Sequence, residues 1–222
     1  MTSYALAARI AGSVASLAIV SVLSAQTQLR DGKLDYPEGS NVPRNLTELE
    51  REYLKLNPLQ IPVQRGPYPA PTGPVHCMAE YEPVEAIHMA WESFSSIQSQ
   101  MIRWITTTGN ADVYVVVDNA AEQTTATTTI QAGGANMARV RFVVRVTDTV
   151  WIRDYGPRYI FEGDCRAIID HVYNRPRPND DAYPSFFAQL KRHARYNLPL
   201  IHGGGNSHLN APRRILLHPP HQ

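Results

Sequence analysis

Cysteine is close to absent: Cys77 and Cys165 are the only two among 222 residues. So low a count excludes a disulfide-stapled scaffold. It leaves room for one bridge if the chain is exported and for buried thiols if it is not. Neither sign of charge is in excess, with 21 Lys and Arg against 20 Asp and Glu. A basic surface for nucleic acid and an acidic solvating tail are both excluded. Charged residues are scarce at 18% while hydrophobic residues reach 43%, which excludes a mostly disordered chain. No internal repeat is visible. His76, His88, His171, His193, His202, His208, His218 and His221 contain no HExxH pair, and His76-Cys77 has no spaced second half. No metal or other cofactor is therefore expected.

What is present begins with one uncharged run, Ile10 to Leu29, behind Arg9. The basic residue, the apolar stretch and the small residues Ser24 and Ala25 have the layout of a secretory signal cut near residue 25. The mature chain is then secreted or periplasmic, with no stable membrane association. An uncleaved anchor is the alternative, since the run approaches spanning length. No other segment is apolar enough to span a bilayer.

Residues 26–74 form a lead-in. Its first part, 26–44, is polar and carries no period. In NLTELEREYLKL the spacing of Leu46, Leu49, Tyr53 and Leu56 predicts a helix, and Thr47 with Glu50 forms a capping box. Asn45-Leu46-Thr47 is also a glycosylation sequon, a triplet common by chance. Prolines at 58, 62, 67, 69, 71 and 74 then impose an extended stretch lying on the surface.

The globular part, 75–210, alternates strands with helices, so the class is α/β. EAIHMAW, ADVYVVVD and RVRFVVRVT read as buried strands. Ser95 to Thr107 reads as a helix with Ile97, Met101 and Ile105 on one stripe. AAEQTTATTTIQ is weakly patterned and helix-compatible. RYIFEGDCRAIIDHVY reads as two strands joined at Gly163. Tyr183 to Tyr196 is expected as a helix with Phe187, Leu190 and Ala194 inward, and LPLI as a last short strand.

Three segments carry chemistry. WIRDYGPRY, 151–159, follows a strand and holds a Gly156-Pro157 turn, which places Asp154 at a strand end. A carboxylate beside the Trp151 indole suits a planar cation: two parallel N–H bonds to the acid, the ring against its face. The competing reading pairs Asp154 with Arg153 or Arg158 and puts Trp151 in the core. In YNRPRPNDD, 173–181, two prolines stiffen a loop whose alternation points Arg175 and Arg177 the same way. Two converging guanidinium forks suit a carboxylate ligand. Equally, Asp180 and Asp181 neutralise them at the surface. HGGGN, 202–206, lets backbone approach a ligand or another strand closely. The oxyanion role of such a run in esterases needs a downstream G-x-S-x-G, and none follows.

Together, AEYEPVEAIHMAW (79–91), WIRDYGP (151–157), YNRPRPNDD and GGGN resemble, in the right order, the bacterial-type peptidylarginine deiminase and agmatine deiminase family. The resemblance covers Pro74 to Asn210. It implies a pentein-like α/β propeller of ββαβ-type blades, of which about two to three of five are present here. It implies hydrolysis of a guanidinium to a ureido group with release of ammonia. In that family a Cys thiolate attacks the guanidinium carbon, a His shuttles protons and two acids hold the substrate nitrogens, without metal. A guanidinium is a poor electrophile, so an activated nucleophile and fixed charges are what the chemistry requires. By resemblance Asp154 is one of the guanidinium-holding catalytic acids and Trp151 an aromatic substrate contact. Arg175 and Arg177 belong to the loop that meets a substrate α-carboxylate. Gly204, Gly205 and Asn206 form the glycine-rich loop near the substrate. The implied partner is an arginine-containing peptide or agmatine. Two Arg on that loop and an export signal lean toward the peptide.

The sequence also departs from the family. No His-x-Asp follows Asn206, and no Cys follows Cys165. Neither Cys77 nor Cys165 matches the nucleophile. Ala211 stands where the family has Gly, and 211–222, with Arg213-Arg214 and Pro219-Pro220, reads as an atypical tail. The expectation is a truncation or frameshift near Asn210. A catalytically inactive guanidinium-binding fragment and a non-functional gene remnant are then alternatives to an active enzyme. An unclosed propeller also leaves strand edges and apolar faces uncovered.

Overall fold

The computed structural model describes residues 26–62, 70–210 and 214–217; the proposed signal, 1–25, and most of the atypical tail lie outside these. The lead-in opens with a hairpin of β1 (Gln28–Arg30) and β2 (Lys33–Asp35). Asp31 and Gly32 turn it, both at positive φ, the geometry that Asp-Gly supplies. The lack of a period in 26–44 hid this hairpin, although the turn pair was a signal for it. Helix α1 (Glu48–Leu56) carries the expected cap: Thr47 accepts from Glu50 N–H, and Glu50 Oε2 accepts from Thr47 N–H at 2.7 Å.

Two mixed layers follow. After β3 (Val75–His76) the chain enters β4 (Ala86–Ala90), α2 (Ser95–Thr107), β5 (Asp112–Val117), α3 (Ala120–Ala132) and β6 (Val140–Val144). β4, β5 and β6 form one parallel sheet with β5 at its centre. The short helix α4 (Ile152–Tyr155) leads into β7 (Arg158–Glu162), β8 (Cys165–Tyr173), α5 (Pro178–Lys191) and β9 (Ala194–His202). This second unit is a ββαβ arrangement. β7 and β8 run antiparallel, β9 parallel to β8, and β3 closes the other edge on β7. A hairpin of β10 (Ser207–Asn210) and β11 (Arg214–Leu217) ends the described chain.

Alternation along β5 explains how the layers join. Val113, Val115 and Val117 pack with Ile102, Ala126 and Ile130 of the helices. Val116 on the opposite face joins Val143, Tyr155, Ile168, Tyr173, Tyr183 and Phe187. A strand buried on both faces reads as a continuous apolar run, as DVYVVV does.

Two expected helices differ in detail. In α2 the buried residues are Gln98, Ser99, Ile102 and Thr106; of the expected stripe Ile105 packs against the core, whereas Ile97 and Met101, like Trp104, are exposed. The polar side chains go inside because each finds a partner. Gln98 Nε2 donates to Ala90 O at 2.8 Å and Ser93 O at 2.7 Å, and Ser99 Oγ donates to Thr129 O at 3.2 Å. The second helix runs from Pro178 to Lys191, not from Tyr183 to Tyr196. Proline is well placed in its first turn, and Arg192 in the left-handed conformation ends it. Phe187 is inward as expected, but Leu190 is 53% exposed and Ala194 already begins β9. Cys165 is exposed and Cys77 half-buried, both unbridged, so Cys165 is not a buried thiol.

Candidate functional site

The segment after β6 is fixed before it reaches Asp154. Asp180, fully buried on α5, accepts from Asp148 N–H at 2.7 Å, Thr149 N–H at 3.2 Å and Thr149 Oγ1 at 2.7 Å. Burial first, and the charge of Asp148 second, push its carboxyl well above the usual range. Asp148 in turn accepts from Asn179 N–H and Nδ2. So Asp180 does not neutralise the loop arginines at the surface; it ties the 145–151 loop to α5. Tyr155, also buried, donates to Thr149 O at 2.7 Å and closes the turn. Asp154 therefore sits not at a strand end but on the one-turn helix that this loop leads into.

The glycine run lies directly against that helix. Gly205 N–H donates to Asp154 Oδ1 at 2.7 Å. A Cβ at Gly204 would come within 2.6 Å of Arg153 O and 2.7 Å of Asp154 O, and one at Gly205 would run into the Asp154 carboxylate. Only glycine permits this approach. Asp154 is thus 5% exposed and held in a defined orientation. The alternative pairing with Arg153 or Arg158 does not form. Arg153 pairs with Glu80, and Arg158 donates to Ser207 Oγ. Burial lowers the Arg158 guanidinium to about 10.

The partner of Asp154 comes from the lead-in. Arg44 Nε lies 3.0 Å from Asp154 Oδ2, and Arg44 Nη2 lies 3.3 Å from Asn206 Oδ1. The hydrogen bond to Asp154 and its charge raise the Arg44 guanidinium above its ordinary value. Trp151 is half-buried beside this pair and donates through Nε1 to Val42 O at 2.8 Å. Arg175 Nε donates to Arg44 O at 3.0 Å. Arg177 Nη2 donates to Pro43 O at 2.7 Å, while its Nε meets Glu50 Oε1 at 2.8 Å. The carboxylate that Arg177 finds is therefore one of its own chain, and Arg177 has no exposed surface. Burial pulls the Arg175 guanidinium down.

The structure thus brings Asp154, Trp151, Arg175, Arg177, Gly204, Gly205 and Asn206 into one cluster around residues 42–45. Sequence reasoning missed Arg44 and Glu50. Arg44 lies in a polar stretch without period, and no local pattern announces it. Glu50 was legible only as a capping residue, a role normally filled at the surface. Neither cysteine belongs to the cluster, and burial raises the Cys77 thiol, the direction opposite to activation. A surface cleft of about 400 Å³ lined by Ser185, Gln189, Arg192 and Arg195 shares no residue with the cluster.

Comparison with known proteins completes the description. A variant of C. jejuni agmatine deiminase with substrate bound shares 16% identity and superposes with a TM-score of 0.53 over 64% of this chain and 45% of that one. A protein provisionally described as a peptidyl-arginine deiminase shares 20% identity, with a TM-score of 0.53 over 64% and 46%. C. jejuni agmatine deiminase itself gives 17% identity and a TM-score of 0.52 over 64% and 45%. These likenesses establish a common α/β fold, that of a partial propeller, and the chain spans less than half the length of each. Residues 76–218 match the family model of Porphyromonas-type peptidyl-arginine deiminase. The chain belongs to the Porphyromonas-type peptidyl-arginine deiminase family.

Proposed function

We propose that this chain carries the guanidinium-recognition part of a deiminase that converts the arginine side chain of a peptide, and less readily agmatine, to a ureido group plus ammonia. The observation that supports this reading is the Asp154 carboxylate. It is buried, aimed by the Gly205 N–H, and already holds a guanidinium on its second oxygen. A carboxylate so fixed needs no rearrangement to orient a planar cation, and it holds the carbon of that cation where a nucleophile can reach it. Arg175 donates to a main-chain carbonyl in the same cluster, a group that a peptide has and agmatine lacks. The run Ile10–Leu29 behind Arg9 supports an exported protein acting on secreted or periplasmic peptides.

Calorimetry with an arginine peptide and with agmatine tests this reading. Asp154→Ala is expected to weaken peptide binding at least tenfold, and agmatine is expected to bind less tightly than the peptide. Equal affinity of the variant and the unmodified chain for both ligands would refute it. A second reading, binding without turnover, is supported by the two cysteines, since neither lies in the cluster and Cys77 is deactivated by burial. An assay for ureido product separates the two: product formation by this chain alone would exclude the second reading.

A further inference from the structure

Residues 42–45 lie across the Asp154 cluster in an arrangement more specific than a strut requires. Each of the four offers its main-chain carbonyl to a side chain of the cluster. Trp151 Nε1 takes Val42 O at 2.8 Å, Arg177 Nη2 takes Pro43 O at 2.7 Å and Asn45 O at 3.5 Å, and Arg175 Nε takes Arg44 O at 3.0 Å. The side chain between them delivers its guanidinium to Asp154 Oδ2 and Asn206 Oδ1. These hydrogen bonds use only the main-chain carbonyls of Val42, Pro43 and Asn45, although the Val42 side chain is itself buried, 4% exposed. A polypeptide that bends at a central arginine presents the same carbonyls and the same planar cation.

The anchoring of the segment is uneven. Downstream, Glu50 is fully buried on Arg177 and also accepts from Tyr36 Oη at 2.9 Å, so α1 is firmly held. The Arg44 side chain is 49% exposed although Asp154 beneath it is only 7% exposed in its side chain. The Arg44–Asp154 pair is therefore the weak, solvent-screened end of the tether, and the Glu50–Arg177 pair is the strong one. Upstream, Gly39 at φ +75° and the Pro37–Ser40 turn give the chain a point about which to swing. Lifting the segment from Asp154 breaks the bonds from Trp151 to Val42 O and from Arg177 to Pro43 O and uncovers Val42, and it leaves the Glu50–Arg177 pair that docks α1 intact.

We propose that residues 42–45 are a tethered occupant of the arginine site, presenting Arg44 to Asp154 as an arginine within another polypeptide would, so that an external arginine peptide enters only when this segment leaves. The proposal rests on the reading of Asp154 given above and adds its regulation in cis. A tethered competitor acts at the effective concentration set by its short tether and lowers apparent affinity by the fraction of time the site is free.

The test uses the full chain and the peptide acetyl-Pro-Arg-Asn-amide, which copies residues 43–45. Titration calorimetry on Arg44→Ala is expected to show binding at least tenfold tighter than on the unmodified chain, and adding Asp154→Ala to that variant is expected to abolish the gain. If Arg44→Ala binds no tighter while binding still depends on Asp154, the segment is a structural tie and the tethered-occupant proposal is overturned, with the arginine site left standing. If no form binds in an Asp154-dependent way, both fall. Should Arg44→Ala fail to fold, hydrogen exchange on the unmodified chain decides. Millimolar peptide is expected to speed exchange at the amides of Val42, Arg44 and Asn45, and unchanged or slower exchange there overturns the proposal.

Discussion

Glu50 and Arg177 face each other with neither exposed to solvent, at 2.8 Å. Burial alone would neutralise both groups. The hydrogen bond and charge between them win, so that Glu50 ends below and Arg177 above its ordinary value. Such a pair adds little net stability over an apolar substitute, but removing one member leaves the other charged and unmatched. Glu50→Ala is expected to cost about 3–5 kcal/mol. A urea titration would show it as a lower midpoint with an unchanged slope. A loss of stability below about 1 kcal/mol would mean that water reaches Arg177. The capping box at Thr47 shows why sequence could not foresee this. The Thr47–Glu50 spacing fixes the local hydrogen bond, but Arg177 lies far away in sequence, and only folding brings it to the same carboxylate.

At the level of elements, α2 is the informative case. Its apolar residues Ile97, Met101 and Trp104 recur at helical spacing and yet face outward, 58%, 48% and 58% exposed. The inward face carries Gln98, Ser99 and Thr106 beside Ile102, each of the three polar side chains donating to a backbone carbonyl. Periodicity located the helix correctly because any amphipathic period does so. Of the stripe it marked, Ile105 packs against the core while Ile97 and Met101 do not, because periodicity cannot see that Ala90, Ser93 and Thr129 hold carbonyls ready for polar partners. An exposed apolar stripe of this kind drives association. Sedimentation at rising concentration is expected to show self-association of the chain. Ile97→Lys combined with Met101→Glu is expected to suppress it without changing the circular dichroism spectrum. A concentration-independent monomer in the unmodified chain would contradict this expectation. The helix α5 teaches the complementary lesson. Pro176 and Pro178 suggested a stiff loop to sequence reading, but Pro178 is tolerated in a first turn, and Asp180 then anchors the helix start beneath the site.

Across the whole molecule, buried titratable groups set how stability varies with pH. Glu92 accepts from Thr147 Oγ1 at 2.7 Å, and burial, with Asp118 nearby, raises its carboxyl from 4.5 to about 9. The folded state holds a proton there that the unfolded state releases. This group's contribution is therefore full below about 4.5 and lost as pH rises toward about 9. His88, buried against Tyr114 and Phe187, is lowered from 6.5 to about 4, and His171 is lowered likewise, both by burial first. Their contributions are present above 6.5 and lost as pH falls through about 4. Thermal melting is expected to weaken on both sides, and Glu92→Gln is expected to flatten the alkaline limb while leaving the acid limb in place. An alkaline limb unchanged in that variant would assign the loss to another group, such as Glu122, which burial raises to about 7.

The division between what sequence and tertiary structure decide follows from the range of the forces. The amino-acid order by itself determined the α/β alternation, the capped helix at Thr47, the doubly buried β5 and the turn at Gly163, because these depend on neighbours a few residues apart. It also marked WIRDYGP, YNRPRPNDD and GGGN as chemically unusual and placed them in a recognisable family order. Only the folded chain decided what those segments meet: Gly205 against Asp154, Glu50 under Arg177, and Arg44 on the carboxylate. Those contacts join residues 51, 127 and 110 positions apart, and long-range packing, which no local pattern encodes, is what brings an acid from one segment and a cation from another into hydrogen-bonding distance.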